Sequence, residues 1–487
     1  MSILDLTLNE IHNALINNEI TPLELVKEAL ARCKNDTNNA FECILEKEAL
    51  EAVSKLDESK KNNLFYGIPI VIKDNFSTKG IETTGSSNIL NGYVPVYNAE
   101  VVTRLIDNGA ILIGKTTLDE LAMGGTGTTG HKGISYNPWD KNHEHLIGGS
   151  SCGSAIAVCS NIVPFALGSD TGDSVRKPAS YAGLVGFKPS WGRISRYGLF
   201  PFATSLDHVA YFTRSVLDSA LSLNLLAGRD DKDASSSFKD VEDYSLHISN
   251  SIKGKKIAVI KEIIDSISDK DILDGFNKTL DYLKEEGAIV DVVSFDINLL
   301  KAIYPTYIVL SCAEATSNNA NLDGIKFGPR YKGNSYEEVM LLSRTNGFSP
   351  LIKRRFVIGS FSLLSENQHD LFLRAQKARR LIVNETNRIL NEYDAIYCPA
   401  SPTSAPKVHE GSSNKLSDEY LIADNYLAIG NMGGLPSLTL PIGFSKGLPF
   451  GGNLTGRAFE ESLIFNIAFK LEEHTNLRNL SSKKGEK

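Results

Sequence analysis

Serine and glycine residues are concentrated between residues 148 and 180, in two turns that flank a helix of small residues and an apolar strand. The second turn, Thr171-Gly172-Asp173-Ser174, can point several successive backbone N–H groups at one spot beside the Ser174 hydroxyl. Donors grouped beside a hydroxyl are typical of an oxyanion hole next to a nucleophile. A serine nucleophile needs a base. The stretch contains no histidine or glutamate, so the base must come from elsewhere in the chain.

Lys73 is the nearest good candidate for that base upstream of the serines. It ends the apolar run 68–72, which predicts a buried strand, and a lysine in poorly solvated surroundings has a lowered pKa. A neutral lysine can accept a proton. Taken alone, each feature has a simpler interpretation: a lysine at a strand end is often a surface residue, and a Gly/Ser-rich loop is often a tight turn or an anion-binding loop.

Together these residues resemble the amidase signature family, whose catalytic unit is a Ser-Ser-Lys triad. In that family the bridging serine and the nucleophile are 24 positions apart, which here selects Ser150 and Ser174 and excludes Ser151. The resemblance implies that Ser174 attacks the amide carbon and that Ser150 relays its proton. Lys73 then receives this proton and later protonates the departing ammonia.

The resemblance also implies that the backbone N–H groups of Thr171, Gly172, Asp173 and Ser174 hold the oxyanion. Asp173 stands where the family has the second glycine of Thr-Gly-Gly-Ser, so a carboxylate lies beside the predicted oxyanion hole. Aspartate tolerates a left-handed backbone better than most residues, so its N–H can keep the required direction. We expect the carboxylate to point away from the oxyanion and activity to survive.

Several segments resemble the A subunit of the glutamyl-tRNA(Gln) amidotransferases more closely than free-standing amidases, namely 192–199, 205–207, 314–318, 323–328 and 352–356. This resemblance implies a subunit that hydrolyses glutamine and passes ammonia to a partner, within a heterotrimer with two other subunits. The partner would hold the mischarged Glu-tRNA(Gln) and use ATP and Mg²⁺, with no cofactor or metal in this chain. Besides Asp173, the sequence departs from the family pattern at Cys152 and at 449–456.

Free glutamine carries an α-carboxylate and an α-ammonium group, so its site needs a cationic fork and an acceptor carboxylate. By motif position, the resemblance assigns the carboxylate to Arg355 and the ammonium to Asp424, with Tyr307 contacting the same ligand. Judged from the residues alone, a run such as 353–355 is usually a solvated basic face of a helix, and an acid such as Asp424 is more often an ordinary exposed residue than a ligand.

Composition limits the classes of function. The chain has 487 residues, 42% hydrophobic and 22% charged, as is ordinary for a globular protein, and no apolar run long enough to cross a membrane. The N-terminus lacks a signal-peptide profile, so we expect a cytoplasmic protein. The net charge of −7 argues against this chain binding tRNA by itself, because phosphate binding depends mainly on Lys and Arg. The cysteines are scattered, and His143 and His145 lie in a polar loop, so no metal site is expected.

Alternating helix and strand signals predict an α/β protein. With the resemblance, they indicate an amidase-signature fold: a large mixed β-sheet flanked by helices on both faces, in a single domain. Its expected parts are N-terminal helices (1–60), the catalytic core (61–228), a surface linker (229–254), the rest of the sheet with recognition helices (255–474) and a frayed polar tail (475–487).

Three other functions stay open at this point. The chain could be a stand-alone hydrolase of another small amide, or a scaffold subunit whose site Asp173 has disabled. A Schiff base between Lys73 and pyridoxal phosphate is a weaker third idea.

Overall fold

Eleven strands form one sheet in the computed structural model, which describes residues 2–409 and 417–483. They are β1 (Phe41–Ile44), β2 (Pro69–Lys73), β3 (Ile111–Thr116), β4 (Ala166–Asp170), β5 (Val185–Lys188), β6 (His208–Thr213), β7 (Lys256–Ile260), β8 (Ile289–Val293), β9 (Ala395–Pro399), β10 (Ser437–Ser445) and β11 (Leu448–Gly456). Across the sheet the order is β1-β3-β2-β4-β6-β5-β10-β11-β9-β7-β8. Both parallel and antiparallel pairs occur, so the prediction of a large mixed sheet is confirmed.

Fifteen α-helices accompany these strands in the described residues. They are α1 (Leu8–Ile16), α2 (Pro22–Lys34), α3 (Glu46–Ser54), α4 (Glu100–Asp107), α5 (Cys152–Cys159), α6 (Arg176–Ala182), α7 (Val216–Leu226), α8 (Lys261–Asp265), α9 (Lys270–Glu285), α10 (Ile297–Asn318), α11 (Tyr336–Gly347), α12 (Pro350–Leu363), α13 (Arg374–Glu392), α14 (Ile429–Met432) and α15 (Glu461–Thr475). Short 3₁₀ helices cover Ile3–Asp5, Glu58–Lys60, Asn88–Leu90, Glu120–Ala122 and Tyr426–Ala428, and π-helices cover His369–Leu373 and Glu419–Ala423.

Helices pack on both faces of the sheet. On β11, a Cβ at Gly451 would contact Ser180 of α6, whereas a Cβ at Gly456 would contact Ile464 of α15. Successive side chains of a strand point to opposite faces, and these two positions differ by an odd number, 456 − 451 = 5. Helices α6 and α15 therefore lie on opposite faces, as the α/β prediction requires.

Strands β2 and β4 place the catalytic candidates at one edge of the sheet. They are parallel neighbours, with Val71 opposite Ala166 and Ile72 opposite Leu167. Lys73 is the last residue of β2, and the turn that leads to Ser174 begins directly after β4 ends at Asp170. The carboxyl ends of parallel neighbours meet at the same edge, so residues about a hundred positions apart lie side by side.

The sequence over 420–432 favours one continuous helix, but the structure does not have one there. The segment is instead a π-helix, a break at Asp424 and Asn425, a 3₁₀ turn and then α14. The Asn425 side chain donates a hydrogen bond to the Tyr420 carbonyl oxygen at 2.6 Å. Asparagine side chains compete in this way for the backbone groups of a helix, which accounts for the break.

The prediction of a frayed tail is wrong for 476–483, and 484–487 lie outside the described residues. Asn479 N–H donates to the Arg214 carbonyl oxygen at 2.7 Å, the Asn479 side-chain amide donates to the Asp5 carbonyl oxygen at 2.9 Å, and Ser481 is fully buried. The segment 229–254 has no helix or strand, but it is not a plain surface linker because it buries Tyr244.

Candidate active site

Lys73 lies at the centre of a cluster of hydroxyl groups and is itself fully buried. Its Nζ is 2.7 Å from Ser150 Oγ, 2.9 Å from Ser169 Oγ and 3.0 Å from Ser151 Oγ. The interpretation of Lys73 as a surface residue is therefore wrong. Ser151, which the 24-residue spacing excludes as the bridge, is held by a further hydrogen bond to the Ser169 carbonyl oxygen at 3.1 Å.

Burial lowers the pKa of Lys73 from its ordinary value of 10.5 to about 7. Loss of hydration disfavours the charged ammonium, and this effect outweighs nearby carboxylates such as Asp119 and Asp170, which act in the opposite direction. The expected fall in the pKa is confirmed. A substantial fraction of the amine is therefore neutral at neutral pH and can accept a proton.

The glycines before Ser150 are required by the geometry of the turn. Gly148 has a positive φ of +79°, and the peptide bond between Gly149 and Ser150 is cis. A Cβ at Gly149 would lie 2.0 Å from the Asp119 carboxylate. That carboxylate accepts hydrogen bonds from four successive N–H groups of the glycine-rich loop, those of residues 126–129. The loop thus supports the turn that carries Ser150.

Ser174 lies between β4 and α6, is almost fully buried, and has its carbonyl oxygen 3.1 Å from the backbone N of Ser151. Within residues 2–409 and 417–483 its hydroxyl makes no hydrogen bond to protein. In the same part of the chain, the N–H groups of Gly172, Asp173 and Ser174 donate to no protein acceptor. Buried N–H groups are normally paired, so three adjacent unpaired donors beside a free hydroxyl suit an anionic oxygen of a ligand.

A buried ion pair holds this turn in place. The Arg176 guanidinium contacts both carboxylate oxygens of Asp170, at 2.9 and 3.1 Å, and both side chains are completely buried. Arg176 also donates to the Gly172 carbonyl oxygen at 2.7 Å and to the Asn431 side chain at 2.6 Å. Fixing the Gly172 carbonyl oxygen fixes the plane of the next peptide, and with it the direction of the Asp173 N–H.

Thr171 is anchored at the start of the turn by Asp207. Its hydroxyl donates to the Asp207 carboxylate at 2.6 Å, and the N–H groups of Phe202 and Ala203 donate to the same carboxylate. Burial raises the pKa of Asp207 to about 6 despite these donors.

The Asp173 carboxylate is held by Lys177, one helical turn further on, with Nζ 2.9 Å from Oδ2. The contact is consistent with the expectation that this carboxylate points away from the oxyanion, and the survival of activity stays a prediction. Asp173 is not in the left-handed region, however, so the argument from left-handed tolerance does not apply. Lys177 also contacts the Oδ1 of Asp424 at 3.1 Å, which places the candidate ammonium-binding acid next to the turn.

Tyr307 packs against the turn from α10. A Cβ at Gly172 would lie 3.0 Å from its ring, which explains the glycine there, and burial raises the Tyr307 pKa well above its usual value. Its ring makes an edge contact with Phe202, 6.5 Å between centroids. The Arg355 guanidinium lies 5.6 Å from the same Phe202 ring. Among the described residues, Arg355 Nε has no hydrogen-bond partner, so the guanidinium can take an anionic ligand.

A small cavity of about 30 Å³ lies at the surface of this arrangement. Its lining includes Gly172, Asp173, Tyr307 and Asn425. The structure thus brings the predicted residues into one region, in which Lys73, Ser150 and Ser174 form the buried end and Asp424 the outer end. Their catalytic roles stay predictions.

Sequence reasoning missed four residues that support this site, namely Ser169, Arg176, Lys177 and Asn431. Arg176 and Lys177 lie two and three positions after Ser174, and their charge in an otherwise small-residue stretch was a usable signal. The partner of Arg176, Asn431, is 255 positions away, and nothing in the sequence marks it.

Metal-binding side chains are not grouped in the part of the chain that the structure describes: it contains no set of three or more His, Cys, Asp and Glu residues arranged to hold an ion. His145 instead contacts the Asp140 carboxylate at 2.7 Å, and His143 stacks on Tyr136. None of the helices in the described residues is both long and apolar enough to span a lipid bilayer.

Comparisons with known proteins identify the family of the chain. The family model for amidases matches residues 24–465. The A subunit of the glutamyl-tRNA(Gln) amidotransferase from Agathobacter rectalis is 39% identical, over 98% of this chain and 95% of that one, and its counterpart from Lactiplantibacillus plantarum is 38% identical over 100% and 99%. The crystal structure of the A subunit from Thermotoga maritima superposes with a TM-score of 0.80 at 34% identity, over 97% of this chain and 95% of that one. The chain therefore belongs to the amidase family, in the group that contains the A subunits of glutamyl-tRNA(Gln) amidotransferases.

Proposed function

We propose that this chain is a glutamine-hydrolysing amidase subunit that supplies ammonia for the conversion of Glu-tRNA(Gln) to Gln-tRNA(Gln). The observation that carries the proposal is the contact of 2.7 Å between Lys73 Nζ, whose pKa falls to about 7, and Ser150 Oγ. It supplies a buried base and a relay, and the N–H of Ser151, next to Ser150 in the chain, donates to the Ser174 carbonyl oxygen at 3.1 Å. The choice of Glu-tRNA(Gln) as the ammonia acceptor and of an assembly with other subunits rests on the relatives, which are A subunits of glutamyl-tRNA(Gln) amidotransferases.

Acylation begins when Ser174 Oγ attacks the side-chain amide carbon of glutamine. The Ser174 proton passes to Ser150 Oγ while the Ser150 proton passes to the neutral Lys73 amine, so Ser150 is unchanged and Lys73 becomes an ammonium. Because the ammonium is costly in this buried position, it returns the proton readily.

The negative charge of the tetrahedral intermediate falls on the former carbonyl oxygen. The N–H groups of Gly172, Asp173 and Ser174, which have no protein acceptor in the described residues, stabilise this oxygen, together with that of Thr171. Collapse of the intermediate breaks the carbon–nitrogen bond. Lys73 returns its proton through Ser150 to the leaving nitrogen, and ammonia departs.

The glutamyl ester on Ser174 is then hydrolysed by water. The same base accepts a proton from the attacking water, again through Ser150, and delivers it to Ser174 Oγ as the ester breaks. Glutamate leaves and the three side chains recover their starting protonation states, so one water is consumed for each ammonia released.

Arg355, Asp424 and Tyr307 select glutamine among amides in this proposal. The unpaired Arg355 Nε and the Phe202 ring beside it suit the α-carboxylate. Asp424 takes the α-ammonium, and Tyr307 covers the ligand at Gly172. We place ATP and Mg²⁺ on a partner subunit, because glutamine hydrolysis by this site needs neither.

The assembly that we propose is a cytoplasmic heterotrimer with two other amidotransferase subunits, in which a partner holds the mischarged tRNA. Ammonia release from glutamine tests this proposal, with the chain alone and co-expressed with the two subunits, ATP and Glu-tRNA(Gln). We expect little release alone, a rise with the partners, and none with Ser174→Ala. Ser160→Ala is a matched control, because its hydroxyl has no partner among the described residues.

Each other result favours one of the alternatives. Hydrolysis of simple amides that survives Arg355→Ala and Asp424→Ala, without stimulation by partners, would indicate a stand-alone hydrolase. A stable heterotrimer that releases no ammonia would indicate a scaffold subunit with a disabled site.

A further inference from the structure

Lys177 links the two acids that border the site. Its Nζ lies 2.9 Å from the Asp173 carboxylate, and it donates to the Asp424 carboxylate at 3.1 Å and to the Asp424 carbonyl oxygen at 2.5 Å. An ammonium group has three N–H donors, so all three are used. The side chain is 8% exposed, which leaves little room for water to replace any of these contacts.

Asp173 and Asp424 have different roles in the proposed reaction. Asp173 contributes a backbone N–H to the oxyanion hole, so an unpaired carboxylate there would oppose the developing negative charge. Asp424 is the proposed partner of the substrate ammonium, so its negative charge is needed. With Lys177 the group of three carries a net charge of about −1, whereas without Lys177 it carries about −2.

We propose that Lys177 is a positioning residue that cancels the charge of Asp173 at the oxyanion hole and leaves one net negative charge for the substrate ammonium. The inference rests on the proposed function and deepens it. Asp173 and Lys177 act as a pair, so that a charged residue occupies a position beside the nucleophile where a glycine otherwise stands.

Replacing either residue alone produces opposite defects. Lys177→Gln leaves two unpaired acids, so attack at Ser174 slows by about 10- to 100-fold while the KM for glutamine does not rise. Asp173→Gly leaves Lys177 to neutralise Asp424, so the KM rises about tenfold while attack at Ser174 is little changed. The double variant has the original net charge of about −1, and we expect both properties to recover.

Two readouts separate these effects. The rate at which phenylmethanesulfonyl fluoride, a small uncharged reagent, labels Ser174 is followed by intact mass at about pH 8 and reports on nucleophile and oxyanion hole without glutamine. The KM for glutamine is measured on the co-expressed complex. Lys55→Gln is the matched control, because Lys55 forms an exposed i,i+4 ion pair with Glu51 outside the site.

The labelling arm does not depend on the amidotransferase assignment. If no variant hydrolyses glutamine but Lys177→Gln slows labelling and the double variant restores it, the pairing is supported while the proposed function fails. If Lys177→Gln does not fold, the KM of Asp173→Gly for glutamine is compared with that of the double variant. A raised KM that recovers in the double variant supports the inference, and a KM that does not recover contradicts it.

Three results would overturn the inference. One is normal labelling of Lys177→Gln, and another is a double variant as slow as the single one, which would show that Lys177 has a purely structural role. The third is a wild-type chain that the reagent does not label at Ser174, which would also remove the nucleophile assignment.

Discussion

Lys73 can accept a proton only when its amine is neutral, so the rate of acylation of Ser174 must follow the neutral fraction of this group. A pKa of about 7 gives a neutral fraction of about 10% at pH 6, about half at pH 7 and about 90% at pH 8. Raising the pH therefore increases the rate about tenfold between pH 6 and pH 8, and little above that. A lysine at its ordinary value of 10.5 would instead give about a hundredfold rise over the same interval and no plateau.

The assay is labelling of Ser174 by phenylmethanesulfonyl fluoride from about pH 5.5 to about pH 9.5 at constant ionic strength. The single-site rate constant is taken from intact mass, with Ser174→Ala as the background. A rate that continues to rise about tenfold per pH unit above pH 8 would refute the assignment of a buried, neutral Lys73 as base.

Three further substitutions test other parts of the site. Ser150→Ala should slow acylation about a thousandfold, whereas Ser151→Ala should slow it about tenfold or less, because it removes a contact to Lys73 but not the relay; equal losses would contradict the relay. Asp170→Asn leaves Arg176 buried with a weaker partner and should lower the free energy of unfolding by about 3 kcal/mol in urea titrations. Unchanged stability would contradict the stabilising role of the Asp170–Arg176 ion pair. Arg355→Ala should raise the KM for glutamine about tenfold or more without changing labelling of Ser174, and a labelling defect would place Arg355 elsewhere.

Much of the strand framework around the base could be predicted from sequence. The apolar run before Lys73 forms β2, and every residue of that strand is buried, as its composition indicates. The strand, helix and strand signals over 256–296 correspond to β7, α9 and β8 at the sheet edge. The capping patterns at Thr7 and Thr21 start α1 and α2, with each threonine side chain bonded to the N–H three residues later.

Three strands, β1, β6 and β11, escaped prediction, and the sheet shows a physical reason for β6 and β11. β11 contains a proline and three glycines, residues that weaken any strand signal, and it is stabilised by pairing with β9 and β10 on either side. β6 follows a turn-rich run and is likewise defined by its neighbours, β4 and β5. Such strands exist because of tertiary pairing, which the local sequence does not record.

The site shows the same division. Ser150 and Ser174 lie in one short segment of the chain, so a sequence pattern can specify their spacing. The Lys177 contact with Asp424 spans 247 residues and depends on how the broken segment after Asp418 folds back. Long-range ion pairs of this kind become visible only when the whole chain is folded.

Arg176 donates hydrogen bonds to the Asn431 side chain and to the Leu427 carbonyl oxygen, and these contacts set an order of events during synthesis. A ribosome completes Ser150 and Ser174 long before it reaches these two residues, since domains emerge from the N-terminus onward. Until then, the guanidinium that fixes the Gly172 carbonyl oxygen lacks two of its partners. The nascent chain therefore carries Ser174 through most of translation without a finished site, and the turn gains these two supports only after residues 427–431 have been added.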